Sequence, residues 1–117
     1  MKKATITLLL FASTVFADCS GIWNGKGGKE DPRYGLVPMT AQMTLEQAGS
    51  SVSGTFKLGN DSVLRITSGS VSGDQVTFVI SQPGGQITGS FTQKGAQLTG
   101  KMTTSNGSTY DFAFKLQ

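Results

Sequence analysis

The sequence predicts an all-β protein that closes into an eight-stranded antiparallel up-and-down barrel. The first observation is a pair of similar five-residue units at residues 87–91 and 98–102, which flank a turn at residues 93–97. Side chains alternate between the two faces of a strand, so each unit places its glycine and its large apolar residues on one face. The second observation is that the unit recurs at residues 52–56 and, in part, at 71–73. These repeats indicate hairpins with one buried face.

The third observation is that the alternating stretches number eight and that short turns join them. A flat sheet of eight such strands would leave its apolar face in water, and a chain of this length cannot easily supply a second layer. Rolling the sheet into a barrel buries that face and removes the exposed edges. A β-sandwich of two stacked sheets is the alternative fold.

The elements follow from the same alternation and from the turn residues between them. Residues 20–25 predict a short first strand that contains Trp23, and the glycine- and proline-rich residues 25–38 predict a long loop. In residues 62–72 the apolar positions lose their alternation, so we expect a bulge near Gly69. The other predicted strands show regular alternation and cover residues 39–47, 52–58, 76–81, 87–91, 98–102 and 110–116.

The first 17 residues have the features of an export signal. Lys2 and Lys3 give the positive start, residues 6–16 form an apolar core, and the segment ends in a small residue, Ala17. The apolar core is shorter than the roughly 20 residues of a transmembrane helix. We therefore predict a signal peptide at residues 1–17, one barrel domain at 18–117, a secreted or periplasmic location and no stable membrane anchor.

Charge and composition argue against nucleic acid as a partner. Loss of the signal peptide would leave eight of the ten basic residues against all seven acidic ones, so the domain is close to neutral. The basic residues are scattered, whereas a surface that binds nucleic-acid strands clusters them among aromatic side chains.

Composition also argues against an enzyme and against a metal or cofactor site. The chain contains no histidine, and its single cysteine excludes an internal disulfide or a thiolate cluster. No pair of carboxylates has a spacing typical of hydrolases, and no base is available to activate a serine. We therefore predict no catalytic residues, no metal and no cofactor. For Cys19 a free thiol, an intermolecular disulfide and lipid attachment all remain open.

The segment Gly21-Ile22-Trp23 on the first predicted strand resembles the calycin superfamily, above all the short barrels of the avidin and lipocalin type. Residues 52–56 (VSGTF) look like the apolar-Thr-Gly-Thr-Tyr stretch of avidins, and the wider pattern is similar to small secreted bacterial domains. The resemblance implies a barrel open at one end, with Trp23 near the closed end and Lys115 as the basic residue against it. Biotin binding is not implied, because avidins line their pocket with several further tryptophans.

Two binding hypotheses follow, and the oligomeric state stays open in both. In the first, a small apolar or amphipathic molecule enters the open end of the barrel, which is just wide enough for one small ligand or for a filling of side chains. Its candidate wall residues are Phe56, Phe78, Phe91, Tyr110 and Phe112. In the second, the loop at residues 25–38 binds a secreted protein, for instance as a hydrolase inhibitor, through Lys29, Arg33 and Tyr34.

Overall fold

The computed structural model describes residues 18–117, and the predicted signal peptide at residues 1–17 lies outside the described residues. The described chain consists of strands and turns. Among these residues, no helix is long and apolar enough to cross a lipid bilayer. The strands are β1 (Gly21–Asp31), β2 (Gly35–Ala48), β3 (Ser51–Leu58), β4 (Leu64–Arg65), β5 (Ser68–Ser72), β6 (Gln75–Gln82), β7 (Gly85–Lys94), β8 (Gln97–Thr104) and β9 (Thr109–Leu116).

The strands form a single closed antiparallel sheet, which confirms the predicted up-and-down barrel and overturns the sandwich alternative. Strands that follow each other in the chain are paired, except that β4 and β5 both pair with β3 and not with each other, and β1 also pairs with β9. The short strands β4 and β5 together fill one position between β3 and β6. The barrel therefore has eight positions in the described chain, occupied by nine strands.

The up-and-down order gives the barrel two distinct ends. We call the end that carries the chain termini of residues 18–117 the base; the turns after β2, β5 and β7 also lie there. We call the other end the mouth, and it carries the turns after β1, β3, β6 and β8.

Predicted inward positions are buried in most strands. The residues buried on the inner face include Met43 and Leu45 of β2, Val76 and Phe78 of β6, and Phe114 of β9. Leu116 was expected to point inward as well, but 38% of it is exposed, because it lies at the last position of β9 at the base. The alternation rule therefore holds along the strands and weakens at their ends.

Large rings inside the barrel lie directly opposite glycines on the neighbouring strand. Phe78 pairs with Gly89, Phe91 with Gly100, and Phe114 with Gly25. A Cβ atom placed on Gly89 would come within 2.5 Å of the Phe78 ring, and one on Gly25 would collide with the Phe114 ring. The rings therefore occupy the space that a side chain on the opposite strand would need.

The prediction of a long loop at residues 25–38 is wrong. Residues 25–31 continue β1, the turn occupies residues 32–34, and β2 begins at Gly35. The glycines that suggested a loop are needed for close strand contacts instead. A Cβ on Gly27 would collide with the Asp111 carbonyl oxygen, and one on Gly28 with the Val37 carbonyl oxygen. Two strands and a tight turn therefore replace the expected irregular segment.

The single strand predicted at residues 62–72 is also wrong, because the chain breaks it into β4 and β5. The break falls at Ile66 and Thr67, where the Thr67 N–H donates to the Val79 carbonyl (2.8 Å) and Ser68 is already paired with Val79. Two residues thus oppose one, as in a β-bulge. This irregularity, two residues before the expected Gly69, explains why Ile66 and Val71 can both lie toward the interior.

We expect Gly89→Ala to lower the free energy of unfolding by about 1–3 kcal/mol, because the added methyl group overpacks the Phe78 ring. Urea unfolding followed by circular dichroism measures the change. Ser90→Ala, on the outward face of the same strand, is the control and should stay within about 0.5 kcal/mol of wild type. Adding Phe78→Leu to Gly89→Ala should cost less than the sum of the two single changes; full additivity would contradict the ring-over-glycine contact.

Candidate functional site

A cavity of about 420 Å³ opens at the mouth of the barrel. Its volume lies within the roughly 300–1,000 Å³ typical of small-molecule sites. Apolar side chains form most of its wall and a few polar groups lie among them near the mouth. The lining residues are Phe56, Leu58, Asp61, Ser62, Leu64, Gln82, Ile87, Met102, Thr104, Tyr110 and Phe112.

Three of the five residues predicted as ligand walls line this cavity, and two do not. Phe56, Tyr110 and Phe112 are in the wall. Phe78 and Phe91 are fully buried and stack on each other with their ring centroids 5.8 Å apart. They belong to the packed interior, where Phe78 lies opposite Gly89 and Phe91 lies opposite Gly100.

The wall rings form one connected group. Tyr110 and Phe112 lie nearly parallel with centroids 6.5 Å apart, and Phe56 meets Phe112 edge to face at 6.5 Å. Such offset and edge-on contacts are the favoured geometries of aromatic pairs. Phe56 and Phe112 are almost fully buried, whereas Tyr110 is half-buried. Three connected aromatic side chains from β3 and β9 therefore form one side of the cavity.

Five of the eight wall residues that the sequence analysis missed fall into two groups. Leu58, Ile87 and Met102 occupy inward positions at the mouth ends of their strands, so alternation combined with strand direction could have identified them. Asp61 and Ser62 lie in the turn after β3, where no periodic signal exists. Their position depends on how that turn folds over the mouth.

The base of the barrel is filled and closed around Trp23. Trp23 is completely buried, and its Nε1–H donates to the Cys19 carbonyl oxygen (2.9 Å). Lys115 does not lie against it: the lysine is exposed on the outer face, level with Asn24. The reason is strand alternation, which points Phe114 and Leu116 inward and Lys115 outward. The tryptophan contact that the calycin resemblance implied for Lys115 is therefore not formed.

Cys19 lies at the base of the barrel and belongs to its hydrophobic core. Its side chain is fully buried and its backbone N–H donates to Gln47 Oε1 (2.9 Å). Burial raises the pKa of the Cys19 thiol, and the nearby Asp18 charge acts in the same direction. Because the thiolate is the reactive form, this environment makes Cys19 a poor nucleophile.

The hairpin of β1 and β2 projects at the mouth and carries the three predicted partner-binding residues. Arg33 and Tyr34 lie in its turn, where the Asp31 carboxylate accepts both of their backbone N–H groups (2.7 and 3.2 Å). Tyr34 is 76% exposed, and Lys29 lies further down on β1, half-buried. The turn thus brings Arg33 and Tyr34 together and leaves Lys29 apart.

Within residues 18–117, one edge of this hairpin has no strand beside it. β3 pairs with β2 only from Ala41 onward, so the earlier part of β2 lacks a ladder partner on that side. Pro38 lies in this unpaired part and has no N–H to offer, which is typical of an edge protected against further strand pairing. Leu36 on the same stretch is 54% exposed.

Three charged side chains meet on the outer face of β1, β8 and β9. Lys101 Nζ lies 3.4 Å from Asp111 Oδ1 and 3.7 Å from Glu30 Oε2. A hydrogen bond shared between the carboxyl groups raises the pKa of Glu30 and lowers the pKa of Asp111. The Asp111 contact also raises the pKa of Lys101. All three are solvent-exposed, so we interpret the group as a surface ion-pair network.

In residues 18–117, no three histidine, cysteine or acidic side chains lie close enough together to hold a metal ion.

Comparison with known proteins identifies the fold. No protein-family model matches the chain, and no curated protein matches it significantly. Among solved structures, the chain is similar to a redesigned β-barrel, with a TM-score of 0.64 and 17% sequence identity over 91% of this chain and 95% of that one. At this identity the likeness supports the eight-stranded antiparallel barrel and nothing finer.

We expect Lys101→Met to raise the pKa of both Glu30 and Asp111, because the lysine charge favours the ionised form of each. Carboxyl ¹³C chemical shifts recorded against pH measure both values. Loss of the cation should make the variant less stable than wild type at pH 7, and the difference should vanish once both carboxyls are protonated at low pH. Lys94→Met, at the base end of β7, is the control; equal shifts in both variants would contradict the network.

Proposed function

We propose that the protein is an exported binding protein that takes a small apolar or amphipathic molecule into the cavity at the barrel mouth. The observation that carries this proposal is the contrast between the two ends. The base is packed with fully buried side chains, whereas the mouth holds about 420 Å³ of space bounded by rings and aliphatic groups.

The distribution of polar groups supports an amphipathic ligand. The polar members of the wall are Asp61, Ser62, Gln82 and Thr104, and they come from the turns or strand ends at the mouth. Below them the wall is apolar. A ligand would therefore bury its apolar part against Phe56, Phe112 and Met102 and keep its polar part near solvent, an arrangement common in small-molecule sites.

We expect the wild-type protein to bind the neutral probe N-phenyl-1-naphthylamine with one-to-one stoichiometry, and we expect Ile87→Trp to weaken that binding at least tenfold. Ile87 lines the cavity, so a larger side chain there would fill the space that the probe needs. Probe fluorescence titrations give both affinities, and calorimetry gives the stoichiometry.

Thr88→Trp is the matched control, because Thr88 is the next residue on β7 and faces solvent. It adds the same indole group outside the barrel and should leave binding unchanged. Equal binding by wild type and both variants would place the probe outside the cavity, and absence of binding by the wild type would overturn the proposal.

A second candidate function is supported by the exposure of the β1–β2 turn. We propose as the alternative that this hairpin binds a secreted protein, such as a hydrolase, through Arg33 and Tyr34. Tyrosine and arginine are the side chains most often found at energetic centres of interfaces. Tyr34 exposes 76% of its surface and neighbours the exposed Leu36, so an apolar contact area is already presented. Lys29 is too far down the hairpin to share the tip contact and would add charge at its margin.

If the hairpin binds a partner, Tyr34→Ala should weaken that complex by about 2 kcal/mol, as expected for an interface hot spot. Its stability should stay within about 0.5 kcal/mol of wild type, because the ring makes no core contact. Inhibition assays against a panel of secreted hydrolases identify the partner, and calorimetry with the purified partner gives the affinity. Thr88→Ala on the barrel wall is the control, and equal affinity for all three proteins would exclude the hairpin as the contact.

A further inference from the structure

We infer that the mouth cavity selects amphiphiles with a positively charged head group, such as a quaternary ammonium, over those with a carboxylate. This inference rests on the proposed ligand-binding function and narrows its ligand class. Its basis is the pairing of one carboxylate with three connected aromatic rings in the same wall.

The charge of the wall has one sign. Asp61 is the only acidic or basic side chain among the residues that line the cavity. The side chain makes no ion pair within the described chain, where the only ion pairs are those of Lys101 on the outer face. The Asp61 backbone N–H donates to the Leu58 carbonyl (2.9 Å), so the turn that presents the carboxylate is anchored to the end of β3. An anionic head group at the mouth would meet this charge without a compensating cation in the wall.

The aromatic side of the cavity adds to the same preference. Phe112 contacts both Phe56 and Tyr110, and the faces of such rings attract cations. A cationic head group between this aromatic side and Asp61 would be stabilised from two directions. The apolar tail would lie deeper, against Ile87 and Met102.

Three basic residues of the described chain lie near the mouth without joining the wall: Lys29, Arg33 and Lys57. Lys29 is the cross-strand partner of Tyr110, so its ammonium group is close to that side of the mouth. Arg33 lies in the projecting β1–β2 turn, and Lys57 lies in a groove on the outer surface. The positive charge of Lys29 would repel a cationic head group beside Tyr110. We therefore place the head group on the Asp61 side of the mouth, near Phe56. This placement predicts opposite effects of neutralising Asp61 and Lys29.

The test compares three ligands with the same tail: decyltrimethylammonium, decanol and decanoate, each below its micelle-forming concentration. Isothermal calorimetry with the domain of residues 18–117 at low and high salt gives their affinities. We expect decyltrimethylammonium to bind on the order of tenfold more tightly than decanoate, which corresponds to about 1.4 kcal/mol. Asp61→Asn should remove most of that advantage, whereas Lys29→Met should increase it. High salt should reduce it, because Asp61 is exposed.

The outcomes separate this inference from the proposed function. Equal binding of all three ligands, or tighter binding of decanoate, would overturn the charge preference and leave the apolar binding site standing. A cation preference that survives Asp61→Asn unchanged would overturn the role of the carboxylate. If none of the three ligands binds and N-phenyl-1-naphthylamine also fails to bind, the ligand-binding function itself fails. Thermal melts of the unliganded variants establish that each is folded.

Discussion

Several aromatic rings in the interior of this barrel pack over glycines of the neighbouring strands, and the packing of the barrel depends on these contacts. Where a phenylalanine points inward, the residue beside it on a neighbouring strand is often a glycine. Phe78 lies between Gly69 and Gly89, and Phe112 lies between Gly27 and Gly100. Each ring therefore covers bare backbone, a device that also permits the strong coiling that barrel closure requires.

The distribution of inward side chains explains why one end is filled and the other is open. Toward the base, Trp23 and the rings above it are fully buried, and the buried Cys19 carbonyl satisfies the indole N–H. Toward the mouth, β4 is only two residues long, and the chain leaves the sheet between residues 59 and 63. Fewer inward side chains reach that level, so a cavity remains. The cavity is thus a consequence of the interrupted strand as much as of the rings that line it.

The base, the outer wall and the mouth of the barrel also differ in the exposure and reactivity of their side chains. The base contains buried groups of low reactivity, including a thiol whose pKa is raised by burial. The outer wall carries serine, threonine and glutamine side chains and one exposed network of Lys101, Glu30 and Asp111, which contributes modestly as surface ion pairs do. The mouth combines the cavity with a projecting hairpin whose turn is exposed. Both proposed functions are therefore located at the same end, and a ligand and a protein partner could influence each other there.

Period-two alternation by itself determined the all-β class, the barrel and most of the inward residues, because burying one face of eight strands leaves few other solutions. The paired units predicted the hairpin of β7 and β8, and the structure gives its register, with Phe91 opposite Gly100. Only the tertiary structure decided whether a glycine marks a turn or a close contact. Gly27 and Gly28 resemble loop residues in the sequence, yet they lie in β1. They are glycines there because backbone carbonyl groups of the paired strands β9 and β2 occupy the space that a side chain would need. The cavity was decided in the same way, since Asp61 and Leu64 reach its wall through the path of a turn and a broken strand, which no local pattern encodes.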